Sequence, residues 1–355
     1  MSPSDIRRPL AERYQWLVLP LVVFATSRGL LLGFSRAAPL FSRLFSPDPA
    51  ADTPWASAHP VWAALAHGEI GDHVRIAKSG YATLADAPHF PLLGWAARAF
   101  LHVGGAIEGW LLGLSMLACA VGFIGVYRVF ETLRGSAAAS WGLFLLAAFP
   151  FAYHLSDGSA LAALLAFSSW AVWLGLRGRW LVGAVVLSLG VLAHPACVAA
   201  VMMAAGLRSG LTPWNWRRGV YAVLPLLVLG AWLSHLRMHF WPGLWLALWP
   251  GVSPLMSPWL IMVTVFGGGL VLGIVIMLFE RELRVLALTA AGQMVMVLWA
   301  WTPHAVHGLA ACWPAFLIWG DLLTRWKGAR IPALAILATH QGLLLLCFVR
   351  YLFFA

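Results

Sequence analysis

Glu69 and Asp72 stand three residues apart in the run Gly68-Glu69-Ile70-Gly71-Asp72-His73-Val74-Arg75-Ile76-Ala77-Lys78-Ser79-Gly80-Tyr81, and His89-Phe90-Pro91-Leu92 follows shortly after. A carboxylate placed there can act as a general base, drawing the proton from an attacking hydroxyl. Arg75, Lys78, His73 and His89 are the residue types that hold a departing phosphate through charge-assisted hydrogen bonds. Together these groups suit transfer of a sugar from a lipid phosphate to an acceptor hydroxyl, with Glu69 or Asp72 as the base. Mixed charge is also what a solvated loop displays, and the run alone leaves both readings open.

Other polar residues recur between apolar stretches. Arg28 lies near the end of the first apolar run and is either a second phosphate cation or an arginine reaching out to the lipid interface. Asp157, beside His154 and Ser156, and then His194, His304 and His307 are further candidate site residues; a capped helix end at His194-Pro195 or packed histidines at 304 and 307 are the alternatives. Trp241, Trp245 and Trp249 repeat every four residues and would share one helix face, as an interfacial belt or as a platform for an isoprenoid or sugar. No Asp-x-Asp and no histidine–carboxylate set with metal-ligand spacing stands out, so neither metal nor cofactor is expected. Cys119, Cys197, Cys312 and Cys347 fall inside apolar segments without paired spacing and read as small core residues.

The elements that must position these groups are membrane helices. The 355 residues are 61% hydrophobic and only 10% charged, far below the roughly 25% charge of a soluble domain. Candidate spans are 15–34, 109–127, 137–153, 158–176, 219–234, 258–279, 285–301, 306–322 and 331–349. The apolar stretch 180–207 is interrupted at His194-Pro195 and is read as two half-spans meeting at a turn, since proline removes a helix donor. About ten to eleven membrane segments result, at ~20 residues per crossing. The first run is too long for a signal-peptide core and should remain as a span. The net charge of +10 is spread over short Arg/Lys clusters between spans, which orients helices and argues against nucleic acid as a partner. Those clusters place the N-terminus in the cytoplasm. They leave a long external loop, 35–108, whose weakly amphipathic part, 61–77, reads as short interfacial helices.

The intervals of Ile76-Ala77, Gly80-Tyr81 and Phe90-Pro91 resemble the first external loop of the second GPI mannosyltransferase family (PIG-V type), polytopic enzymes of the GT-C superfamily. Ser27-Arg28, residues 150–159, the stretch 180–195 and Trp313-Pro314-Ala315-Phe316-Leu317-Ile318 are similar to that family's later blocks. Glu69 falls where the family has an aspartate and Gly68 where it has the preceding tryptophan; Asp72 lies three positions on. A late Arg-Tyr pair of the family is His307-Gly308 here. The resemblance implies an all-α polytopic GT-C-like bundle and an inverting mannosyltransferase. Its partners would be a polyprenyl- or dolichyl-phosphate mannose donor, membrane lipid and a glycolipid or glycan acceptor.

The expectation is therefore one membrane domain over 1–355, multi-pass in the cell inner membrane, with an extracytoplasmic active site. A secondary transporter is the main rival, but no internal repeat is present and the charges gather in one loop instead of near the midplane. A catalytically silent relative that binds lipid-linked sugar is the third reading.

Overall fold

The computed structural model describes residues 10–37, 59, 62, 69–83, 86–205, 216–240, 263–299 and 305–349. The regular elements among them are all helical, and the chain is an all-α membrane protein. Helices α1 (Leu10–Ala37), α2 (Ile70–Ser79), α3 (Pro91–Val103) and α4 (Ile107–Ala148) are followed by α5 (Leu161–Leu176), α6 (Trp180–Ala193) and α7 (Trp216–Phe240). The series ends with α8 (Gly268–Phe279), α9 (Arg284–Trp299), α10 (Phe316–Arg325) and α11 (Arg330–Val349). Tight 3-10 segments at Ala152–Ser156, Pro195–Ala205 and Ala305–Ala311 link several of them.

Three stretches, Tyr14–Arg36, Ile107–Ala148 and Trp216–Met238, are long and apolar enough to cross a membrane as single helices. Their outer faces keep large apolar residues exposed, among them Val22 and Leu30 on α1 and Val223 and Leu227 on α7, the surface a lipid solvent requires. Helix α4 is 42 residues long, on the order of 60 Å at ~1.5 Å per residue. Its backbone leaves helical geometry at Gly135 (φ 83°, ψ 171°), a kink between the expected spans 109–127 and 137–153, and the helix ends at Ala148, short of the end expected for the second.

Other expected spans are broken where the sequence forces it. Helix α6 ends at His194, whose backbone is extended, and Pro195 opens a 3-10 segment. The expected span 306–322 is not one helix: it divides into 3-10 segments and the short α10. Pro314 cannot donate within a helix interior and is tolerated only at its first turn, which delays α10 to Phe316.

Helix α4 packs against α1, α5 and α10, and its Phe123, Tyr127, Phe130 and Leu143 are fully buried with Trp313. In lipid, apolar side chains gain little by exchanging lipid tails for one another, so association depends on close backbone approach between small residues. The α4–α10 crossing meets that demand. A Cβ on Gly320 would lie 2.4 Å from the Gly142 nitrogen and 2.5 Å from the Ala138 carbonyl oxygen, both backbone atoms that cannot move alone. Gly320→Leu is therefore expected to separate these helices and lower stability by roughly 1–3 kcal/mol or more, which thermal denaturation in nanodiscs reads directly.

The arginine clusters meet at one end of the bundle. Arg128 lies over Trp16 (4.8 Å) and Trp173 (5.3 Å), Arg177 over Trp173 (5.4 Å), and Arg218 over Trp180 (4.9 Å). Arg134 pairs with Glu280, and Arg330 lies over Trp141 at 4.8 Å. Helix α7 thus begins beside the start of α6, which requires the chain between them to return after His194.

Candidate active site

Helix α2 is amphipathic at helical spacing: Ile70, His73, Ile76 and Ala77 form its buried face, while Arg75 and Lys78 are exposed. This face packs against α3 and α4. The resembling motif turns out to be the frame of the helix. Gly80 closes α2 by donating its N–H to the Ile76 carbonyl at 2.8 Å, and Phe90 and Pro91 start α3. The Tyr81 hydroxyl donates to the His89 carbonyl at 2.7 Å, and its ring meets Trp232 of α7 edge-on at 5.0 Å.

Glu69 sits at the α2 N-terminus without capping its own helix. Its Oε2 instead accepts the N–H of Ala160 at 3.2 Å, the residue that opens α5. The positive end of the α5 dipole therefore faces the carboxylate. Burial works against the charged form, but His73, the charge on His89 and the Ala160 N–H outweigh it and hold the Glu69 carboxyl below the usual carboxylate range. Because Ala160 precedes α5 and Trp173 lies in its last turn, Glu69 and the arginine end are separated by most of that helix, on the order of 20 Å.

Ala160 is presented by a turn built from the expected candidate Asp157 and its neighbour His154. Asp157 Oδ1 accepts the Ser159 N–H at 2.9 Å, and Oδ2 lies 2.6 Å from His154 Nδ1, both side chains being buried. Gly158 has φ +81°, and a Cβ there would stand 2.3 Å from Ile70 Cδ1, so Ile70 seats against bare backbone. Arg28 grips the same segment from α1, donating from Nη1 to the Ala152 carbonyl and the Ser156 hydroxyl, both at 2.8 Å. In this arrangement Arg28 and Asp157 hold the segment that Glu69 reaches.

Asp72 faces the other way along α2. Its Oδ1 accepts from Arg75 Nη1 at 2.7 Å, and its Oδ2 lies 3.3 Å from His89 Nε2. Burial raises the Asp72 carboxyl, yet His89 and Arg75 more than compensate and lower it. Burial likewise disfavours protonated His89, but Asp72 and Glu69 prevail and raise its pKa. Arg75 is also committed to Asp86, with Nη2 and Nε at 2.6 and 3.0 Å from Oδ1. Asp86 Oδ2 in turn accepts from the Thr83 N–H and hydroxyl and the Ala82 N–H. This buried carboxylate organises the turn; the Thr83-x-x-Asp86 spacing was its signal.

The geometry bears on two sequence expectations. Arg75 and Lys78 were expected to form one phosphate patch, but Arg75 is held by two carboxylates. At about 100° per residue Lys78 lies on the far side of α2 from His73. No metal set was expected, yet Glu69, His73 and His89 each bring a ligand atom within 4.8 Å of the others. Glu69 and His73 are one helical turn apart and were legible as a pair; only the fold adds His89.

His194 accepts the Ala196 N–H on Nδ1 at 3.1 Å, which is the cap the sequence offered as an alternative. Trp232 and His235, stacked at 5.2 Å, join this end from α7. The segment Ala305–Ala311 packs on Ala152–Ser156. His304, the His307 side chain, the Cys347 side chain and Trp241, Trp245 and Trp249 lie outside the described residues, as does most of 61–77 before Glu69.

No protein-family model and no curated protein matches the sequence. Among solved structures, the chain is similar to the Archaeoglobus fulgidus oligosaccharyltransferase in its complex with Zn and sulfate, at 14% identity and a TM-score of 0.41, over 72% of this chain and 44% of that one. It is also similar to the archaeal oligosaccharyltransferase AglB from Archaeoglobus fulgidus with an inhibitory peptide and a dolichol-phosphate, at 13% identity and a TM-score of 0.49, over 97% and 56%. The chain spans about half the length of these structures.

Proposed function

We propose that this chain is a membrane glycosyltransferase of the GT-C kind, moving a sugar, with mannose the expected one, from a polyprenyl- or dolichyl-phosphate donor to a glycolipid or glycan acceptor with inversion. The observation that carries this reading is the meeting of Glu69, Asp72, His73 and His89 on and beside one short helix, at the bundle end away from the arginine clusters. A substrate whose phosphate lies at the membrane surface and whose tail lies among apolar helices fits that position. Half-exposed Asp72, oriented by Arg75 and His89, is placed to take the acceptor's proton; Glu69 is turned inward onto α5. A transporter would place such charges near the midplane. Radiolabel transfer from polyprenyl-phosphate mannose in membranes containing the chain tests the reading.

The excess of Arg and Lys at one end supports a cytoplasmic position for that end and an external one for the carboxylate end. In a cysteine-free background, Lys78→Cys is expected to react with an impermeant thiol reagent on intact cells, whereas Arg217→Cys and Arg281→Cys react only after permeabilisation. Labelling of Arg217→Cys from outside would reverse the assignment of α7.

A further inference from the structure

We propose that Glu69, His73 and His89 form a binding site for one divalent transition-metal ion. Three observations converge on it. The ligand atoms of the three residues all lie within 4.8 Å of one another, with Glu69 Oε2 and His73 Nε2 at 3.8 Å. Ligands of an ion bound at ~2.0–2.2 Å stand roughly 3–4.4 Å apart, so sub-ångström side-chain adjustments close the set. Second, the His73 side chain is 1% exposed, and neither of its ring nitrogens has a hydrogen-bond partner among the described residues. A buried imidazole normally finds such partners. An ion bound through Nε2 gives that atom the partner it lacks and draws His73 and Glu69 together.

The third observation is the support around the three residues. Metal-binding histidines and carboxylates are held by further hydrogen bonds that fix their orientation. Here Asp72 Oδ2 stands 3.3 Å from His89 Nε2, and the Ala160 N–H binds Glu69 Oε2. Asp72 is itself fixed by Arg75, which Asp86 anchors. Two imidazoles and one carboxylate select a first-row ion such as Zn²⁺ over Mg²⁺ or Ca²⁺, and three protein ligands leave positions open for an exogenous oxygen.

The use of those open positions rests on the function proposed above. The phosphate of a lipid-linked sugar needs positive charge beside it, yet Arg75 is engaged by two carboxylates and Lys78 faces away. An ion on Glu69, His73 and His89 supplies that charge next to Asp72, assigns Glu69 to the metal and leaves Asp72 as the base.

The test is made on the purified full chain in nanodiscs, stripped with chelator and titrated with Co²⁺. The expected result is one equivalent bound per chain, with the visible absorption of a nitrogen- and oxygen-ligated cobalt ion, displaced by Zn²⁺. His73→Gln and Glu69→Gln should abolish stoichiometric binding while eluting as the parent does on gel filtration. Asp72→Asn should weaken it by ~10–100-fold, and His102→Ala, at the exposed end of α3, should leave it unchanged. Absence of stoichiometric Co²⁺ in the parent, or unchanged binding in His73→Gln, would overturn the site. Because binding is read without substrate, cobalt bound by a chain inactive in sugar transfer would sustain the site and count against the glycosyltransferase reading. Transfer by a chain that binds no cobalt would do the reverse.

Discussion

Asp72→Asn is expected to reduce sugar transfer by ~10²–10⁴-fold, the contribution of a positioned general base, with little change in the amount of folded protein. The amide keeps the shape of the side chain and one oxygen to accept from Arg75, but it cannot take up the acceptor's proton. Arg75 remains held by Asp86, whose three hydrogen bonds within the Ala82–Thr83 turn do not involve residue 72. The loop should therefore stay in place, and lost activity can be assigned to chemistry. Initial rates with saturating donor, beside gel filtration and thermal denaturation of the same preparations, check the expectation. Parent-like activity in Asp72→Asn would remove this residue from the base role.

Gly158→Val should be nearly as damaging by a different route. Its backbone, at φ +81°, is in the left-handed region, where a residue with a Cβ costs roughly 1–2 kcal/mol. The added side chain also meets Ile70 Cδ1 and Cγ1 at 2.3 Å, an overpacking that costs ~1–3 kcal/mol. Relief comes by pushing α2 off the Asp157–Ala160 turn, which withdraws Glu69 from the Ala160 N–H. A displacement of about 1 Å at a reacting centre is enough for ~10²-fold in rate. Adding Ile70→Ala removes the contact but not the backbone strain, so the double variant should recover part of the activity and less of the stability. A Gly158→Val protein with parent activity and thermal stability would mean that this turn does not position α2.

What was legible in the sequence was governed by local rules. Helical class and membrane character follow from apolar runs and sparse charge, and the break at Pro195 follows from a missing backbone donor; the same effect at Pro314 runs against the single span expected over 306–322. Glu69, Asp72, His73 and His89 stood out as candidates, because their types and intervals are local to one loop. The division of labour among them was not. Whether Arg75 faces a substrate or a carboxylate depends on Asp86, eleven residues away across a turn whose geometry is set by hydrogen bonds to Thr83.

The seat of Glu69 on Ala160 spans 91 residues of sequence and was beyond any periodicity. So was the meeting of α7 with the loop through Trp232 and Tyr81. Asp157 was noticed for its charge, yet its hydrogen bonds to Ser159 and His154 make it a builder of the turn that presents Ala160.

The central claim is that the carboxylate end of this bundle transfers sugar from a lipid phosphate. Its most direct test is reconstitution of the purified chain in vesicles with radiolabelled polyprenyl-phosphate mannose and a membrane glycolipid extract as acceptor, beside the Glu69→Gln/Asp72→Asn double variant. The account predicts label in a glycolipid or glycan product for the parent chain and none above background for the double variant. No product from the parent, or equal product from both proteins, would contradict it.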